Sequence, residues 1–375
     1  MGLTNIRLGD YIERSTINNK ELKYGVDLIV GVNSQGVFAA PKGNTDGVDL
    51  KPYKIVENGA FVYNPTRLEL GSIAYRTEGL CIVSHLYMVF YLTDEGKKII
   101  DPMWLYIYFR RSEFCREVKF RNFGSQRPEF NFNDMSDIVI PLPDIEIQKK
   151  YVDIYNAMLE NQKSYEYRLE DLKLACDAYI EDLKHGIHCK AIGPYVERHD
   201  VRNRTNEIKN VMGVSTSKEF REPTSKVNRN ELSNYKIVRS RQISFVQTTH
   251  NEKVFAYAFN NTEDDIVVTS VNEVFSVDED KLLPEYLCMF FNRTEFDRYA
   301  RFHSWGSARE TFTWDDLVKV EIPIADMKTQ KSIADIYKAY KERKAINEKL
   351  KEQIKDICPI LIKGSIEEAR KAKEA

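Results

Sequence analysis

The chain repeats itself. Residues 138–155 read IVIPLPDIEIQKKYVDIY, and residues 320–337 read VEIPIADMKTQKSIADIY. Set at an offset of 182 residues, as between Pro102 and Pro284, residues 101–155 lie over 283–337 without a gap. Arg111 falls on Arg293, Glu113 on Glu295, Phe114 on Phe296, Gly124-Ser125 on Gly306-Ser307, Arg127 on Arg309, Pro141 on Pro323 and Gln148 on Gln330. The same offset places YKIV at 53 on YKIV at 235. A solenoid unit runs to about 20–50 residues, so a period this long means a tandem duplication of a whole module. At 375 residues the chain is long enough for two to three domains, each with its own core.

Within one module, DLIVGV, YKIVENGAFVY, IVSHLYMVFYL and IVIPLP read as strands separated by Gly, Asn, Asp and Pro. MWLYIYFRRSEFCREV reads as one amphipathic helix, with Trp104, Leu105, Tyr108 and Phe109 at helical spacing. The repeated Gly124 and Gly306 read as turn residues needing positive φ. Irregular strands with one or two helices give an α+β globule.

The pattern then changes. From Gln148 onward, Tyr151, Tyr155, Met158, Gln162, Tyr165, Leu169, Leu172, Cys176, Tyr179 and Leu183 alternate in steps of four and three. That is a heptad seam, with Gln148 and Gln162 as its polar members. After Gln330 the positions Ile336, Ala339, Ile346, Leu350, Ile357 and Ile360 follow the same alternation, and Pro359 marks a kink. About forty residues of helix span roughly 60 Å, and so long an apolar stripe needs a partner helix. The expected architecture is therefore two tandem globules, each followed by a long helix. The two helices form an intramolecular antiparallel coiled coil that holds the globules at opposite ends of a rod.

Hydrophobic residues make up 42% and charged residues 30%, the balance of a soluble globular chain. No apolar run approaches the ~20 residues of a membrane helix, and the N-terminus lacks a secretory core, so no membrane partner and a cytoplasmic location are expected. The six cysteines form no C-x-x-C pair. His185, His188 and Cys189 cluster in HGIHC, but no second cluster completes four ligands, and a polar helix end is the expectation rather than a metal site. YNPTR at 63–67 begins like the base-holding loop of DNA amino-methyltransferases, then places Thr66 for the second proline and Arg67 for the stacking aromatic. There is no glycine-rich cofactor turn and no phosphate loop. No cofactor is expected, and no catalytic residue stands out.

Two variable globules, each closed by G-S-x-R and followed by I-P-(L/I)-x-D-x-x-x-Q and a long helix, resemble the specificity (S) subunit of Type I restriction–modification systems. YNPTRLELGSIAY and CIVSHLYMVF also look like segments of that family's recognition domains. The resemblance implies target recognition domains at 1–143 and 187–325, with spacer helices at 144–186 and 326–375. It implies a non-catalytic, sequence-specific DNA-binding subunit, each domain reading one half of a bipartite site. Its partners would be double-stranded DNA, two methyltransferase (modification) subunits and, in the full complex, a restriction/motor subunit. The rival readings are an architectural adaptor without DNA contact and a freestanding DNA-modifying enzyme.

Net charge is −2, so DNA binding must come from local faces. Residues 195–241 hold eleven Lys or Arg against six Asp or Glu. Arg198, Arg202, Arg204, Arg221, Lys226, Arg229, Arg239 and Arg241 are the candidate phosphate-neutralising face, with Asn203, Asn206, Asn228 and Gln242 as candidate adenine readers. In the first globule the candidates are Arg67, Arg76, Arg110, Arg111, Lys119, Arg121 and Arg127. Arg111/Arg293 and Arg127/Arg309 recur, which suits either phosphate contact or an internal salt bridge to a repeated acid such as Glu113/Glu295. Gln148, Tyr155, Gln162, Leu169, Leu172, Gln330, Ile336, Ile346 and Leu350 are the candidate helix-pairing and partner residues.

Overall fold

The computed structural model describes residues 2–41, 43–122, 129–248, 254–304 and 310–374. The expected glycine turns at Gly124 and Gly306 therefore lie outside the described residues, as do Arg127 and Arg309. By contact the chain divides into two units, Met1–Ser164 with Asn347–Ala375, and Tyr165–Ile346.

The first module runs β1 (Thr4–Arg7), β2 (Ile12–Ser15), β3 (Gly31–Val32), β4 (Phe38–Ala39), β5 (Lys54–Val56), β6 (Phe61–Tyr63), β7 (Ile73–Tyr75), β8 (Cys81–Val83) and β9 (Met88–Leu92). It continues through α1 (Asp94–Ile99), α2 (Pro102–Phe109), α3 (Ser112–Arg121), α4 (Phe132–Ser136) and β10 (Val139–Leu142) into the long helix α5 (Ile145–Gly186). The second module repeats this as β11 (Cys189–Ala191), β12 (Val196–His199), β13 (Gly213–Val214), β14 (Phe220–Arg221), β15 (Lys236–Val238), β16 (Ile243–Val246), β17 (Tyr257–Phe259), β18 (Ile266–Val268) and β19 (Asn272–Val277). Then come α6 (Pro284–Phe291), α7 (Thr294–Phe302), α8 (Trp314–Leu317), β20 (Glu321–Pro323) and the long helix α9 (Met327–Glu374).

The two topologies are the same. Four antiparallel strands order as β2-β9-β6-β7 in one module and β12-β19-β16-β17 in the other. Two-stranded ribbons β5-β8, β3-β4 and β1-β10 match β15-β18, β13-β14 and β11-β20. Two of the expected strands are divided. YKIVENGAFVY and IVSHLYMVFYL are each two strands, because Gly59 takes φ 91° in the first and Ser84–Tyr87 turns in the second. DLIVGV yields only a 3-10 turn and the short β3.

The single helix expected over 103–118 is two. The chain leaves helical geometry at Arg111 (φ −71°, ψ 145°), and again at Arg293 (φ −77°, ψ 147°). The break folds α3 back so that Phe114 meets Phe109, with ring centroids 4.9 Å apart. In the second module Phe296 meets Phe291 at 4.7 Å. Local sequence sets the starts. Asp101 accepts from the Met103 and Trp104 amides ahead of Pro102, and Asn131/Asp134 and Thr313/Asp316 form matching capping boxes.

Each module's core is aromatic and is completed by both long helices. In the first unit Phe61, Phe90, Trp104 and Phe109 pack with Val152 and Tyr155 of α5 and with Ile354, Cys358, Leu361 and Ile362 of α9. In the second, Phe245, Phe255, Phe275 and Phe291 pack with Cys176 and Ile180 of α5 and with Ile333 and Tyr337 of α9. The two helices therefore pair antiparallel within each unit. In the first unit Lys150 binds Glu368 at 2.9 Å, and the buried Gln162 amide donates to the buried Asn347 at 2.9 Å. In the second, the Arg343 guanidinium lies 5.3 Å from the Tyr165 ring centre.

The seam differs from the strict heptad in places. Leu169, Leu172, Ile336 and Leu350 are half-buried, but Tyr179 is 51% exposed, Ile346 41% and Ile360 64%. Their neighbours Ile180, Asn347 and Leu361 are buried instead. An undistorted helix drifts about 20° per heptad, and packing against a module rather than a bare helix moves the buried face by one residue. Helix α9 also runs on through Pro359 to Glu374.

Candidate nucleic-acid interface

The predicted basic residues fall into two sets. Several are committed to internal contacts. Arg198 makes two hydrogen bonds to the buried Glu273 carboxylate (2.8 and 2.7 Å), which also faces Lys236 at 3.6 Å. That carboxylate raises the Arg198 pKa. Arg202 bonds the Asn234 carbonyl at 2.8 Å and pairs with Asp200 at 2.9 Å. Arg241 pairs with Glu279 at 2.6 Å and with Glu285, which push its pKa further up. Arg121 pairs with Glu117 at 2.7 Å. Arg76 donates to the Leu80 carbonyl with its guanidinium 5.3 Å from the Phe38 ring centre.

Of the recurring arginines, Arg111 and Arg293 both make internal contacts. Arg111 donates to the Tyr108 carbonyl at 2.9 Å and stacks 3.7 Å from that ring's centre, which holds the α2–α3 break. Its counterpart Arg293 is buried and pairs with Asp177 (3.2 Å) and Glu181 (2.5 Å) of α5 and with Glu295 (3.4 Å). Its hydrogen bond is the first cause of the depressed Glu181 pKa. The repeated acid is thus a partner of Arg293, whereas Glu113 pairs with Arg116 at 3.5 Å.

A second set is exposed, with no ion pair or side-chain hydrogen bond among the described residues. It comprises Arg67 and Lys119 in the first module, and Arg204, Arg221, Lys226, Arg229 and Arg239 in the second. These side chains are available to phosphates. Four of the last five sit on loops between short strands, the segments a duplex can reach with little rearrangement.

The candidate adenine readers are largely spent on their own backbone. Asn203 is buried, donating to the Ile208 carbonyl at 2.9 Å and accepting from its amide at 3.3 Å. Asn19 does the same with Tyr24 in the first module. Asn206 (φ 57°) bridges the Asn230 carbonyl and the Leu232 amide, and Gln242 accepts from the Arg239 amide. Asn228 accepts from the Asn230 amide at 3.1 Å. In a single sequence a turn-forming asparagine and a base-reading one look alike.

Two further sequence features resolve. In YNPTR, Asn64 accepts from the Thr66 amide (3.1 Å) and hydroxyl (2.9 Å), an Asx turn that carries Arg67 to the rim of a cleft of about 450 Å³. In HGIHC, α5 ends at Gly186 and Cys189 opens β11 opposite Pro323. Among the described residues no group of three or more His, Cys, Asp or Glu could hold a metal ion.

The modules also trade one contact. Arg110 of the first donates to the carbonyls of Gly71 and Ser34 and fills the space over Gly36, whose φ is 76°. In the second module Asn292 stands for Arg110. Lys218 (φ 62°), in the place of Gly36, reaches the Phe291 carbonyl (2.7 Å) and Asp297 (2.8 Å). Burial lowers the Lys218 pKa.

The Type I restriction modification DNA specificity domain matches this chain twice, over residues 4–170 and 192–356. The chain belongs to that family. It is thus a DNA specificity subunit, and its partners are DNA and the other subunits of a Type I restriction–modification system. The S subunit of such a system from M. genitalium has the same fold, with a TM-score of 0.61 at 11% identity, covering 97% of this chain and 96% of that one. The HsdS subunit from Thermoanaerobacter tengcongensis is 15% identical over 97% of this chain and 96% of that one, with a TM-score of 0.40. No curated protein sequence matches. No helix among the described residues is long and apolar enough to cross a membrane.

Proposed function

We propose that the specificity subunit reads a bipartite DNA site, one half with residues 1–143 and the other with residues 187–325. The helices at 144–186 and 326–375 set the gap between the halves. One observation carries this reading: a single topology is built twice, and within each unit the core is completed by an antiparallel pairing of the two long helices. Major-groove faces recur about every 34 Å of duplex, so a split site needs readers at a fixed separation. A helical pair is stiff enough to supply that separation, and a glycine linker is not.

The exposed cations of the second set contact phosphates and position the duplex. The paired arginines shape the modules that present them. Two modification subunits dock on the helices and neighbouring surfaces and bring the methyl donor; a restriction/motor subunit brings cleavage. This chain works in the cytoplasm and holds no cofactor. The test maps methylated adenines in DNA exposed to the protein and its modification partner. A split motif is expected. Exchanging residues 1–143 for another such module should change one half of it; a change in both halves overturns the modular reading.

A further inference from the structure

The heptad phase puts Gln148 and Gln330 in the helix seam. Each instead turns inward onto its own module and is fully buried. The Gln148 carbonyl accepts from the Asp101 amide at 2.8 Å, and its amide donates to the carbonyls of Ile99 (2.8 Å) and Pro143 (2.7 Å). The Gln330 carbonyl accepts from the Leu283 amide at 2.9 Å, and its amide donates to those of Lys281 (2.8 Å) and Ala325 (2.8 Å). The two patterns agree bond for bond.

Two segments meet at each glutamine. These are the stretch that leads into the buried aromatic helix through its N-cap, and the link from the last strand into the long helix. Apolar contacts such as those of Val152 and Tyr155 hold the helix down but are not directional. Hydrogen bonds are directional, and rotating the helix by one residue, about 100°, would break the two that tie each glutamine to its module. Every partner atom belongs to the main chain. The side chains there differ completely between the copies: Ile99 against Lys281, Asp101 against Leu283, Pro143 against Ala325. The joint is therefore indifferent to module sequence. A module can change what it reads without changing how it is mounted.

We propose that Gln148 and Gln330 are positioning residues that fix the angle of each module on its own helix, and through it the gap the complex accepts between half-sites. This rests on the spacer reading above. The test uses the full chain with its modification partner, on duplexes carrying the mapped motif with the gap lengthened or shortened by one base pair. For Gln148→Ala, the methylation preference for the parent gap should fall about tenfold while the bases recognised stay the same. Gln148→Glu keeps the acceptor for Asp101 and loses both donors, and Gln330→Glu does the same in the other module; both should relax the gap as well.

Unaltered gap preference in folded variants overturns the proposal. So does loss of cooperative melting in all three, which makes the glutamines residues of stability alone. A parallel variant carries seven residues inserted near Gln162 and seven near Asn347. If that insertion shifts the preferred gap while the glutamine variants keep the parent preference, only the positioning role fails. If the insertion shifts nothing, the spacer reading itself fails.

Discussion

The hydrogen bond between Gln162 and Asn347 is open to a double-mutant cycle. Both side chains are buried, 7% and 2% exposed, between α5 and α9. Gln162→Leu takes from the Asn347 carbonyl its Gln162 donor, and Asn347→Leu removes the acceptor of the Gln162 amide. Each single change should cost about 1–3 kcal/mol, the desolvation penalty of an unmet buried polar group. The double change removes both ends of this bond together and should cost less than the sum of the singles. The coupling energy should be about 0.5–3 kcal/mol. Urea denaturation of the four proteins, followed by circular dichroism, measures it. A double variant as unstable as the sum of the singles, within about 0.5 kcal/mol, refutes the reasoning. A seam without this buried polar pair also loses a register marker, so the double variant should accept a wider range of gaps than the parent.

The remaining predictions concern charge. Replacing Arg204, Arg229 and Arg239 with Ala should flatten the dependence of log Kobs on log salt by roughly 0.9 per lost phosphate contact, whereas Arg241→Ala should leave the slope alone. Binding titrations from low to high salt decide this, and an unchanged slope in the triple variant removes those residues from the interface. Arg293→Ala severs the tie to Asp177 and Glu181 and should cost about 1.5–3 kcal/mol in denaturation; Arg111→Ala, which loses a carbonyl contact and a ring, should cost less. Burial lowers the pKa of Lys54, whose ammonium meets only the Tyr87 carbonyl among the described residues. Stability tied to this lysine therefore rises with pH from its folded pKa up to the ordinary value of 10.5. Any advantage of Lys54→Met in melting experiments should be largest near neutral pH and shrink as pH climbs toward that value.

The duplication and the two long helices were legible in sequence because both are periodic, one at 182 residues and the other at three and four. What escaped was anything decided by a partner far along the chain. Gln148 carries the heptad phase but answers to Asp101 and Ile99, which no local pattern links to it. Ile346 and Ile360 have the right residue type at the right spacing, yet the module face selects Asn347 and Leu361. For the interface, composition identified a basic stretch but could not separate Arg204, which faces solvent, from Arg198, whose acid lies 75 residues away in sequence. Gln148 and Gln330 did leave a signal: an identical polar residue at the same place in the two copies, at a position the seam would fill with an apolar one.

The final stretch of α9 is an interior element of the first module, with Ser365 accepting from the Trp104 indole at 3.1 Å and Cys358 and Leu361 in its core. During synthesis the ribosome completes that module's own strands early and delivers its last wall only after the whole second module has emerged. At about 5–20 residues per second, the wait is on the order of ten to forty seconds. Through that interval the nascent chain carries an uncovered oily flank, and the matching helix of a neighbouring copy is the piece best shaped to fill it. Crowded polysomes should therefore produce entwined pairs of this protein more readily than dilute refolding does.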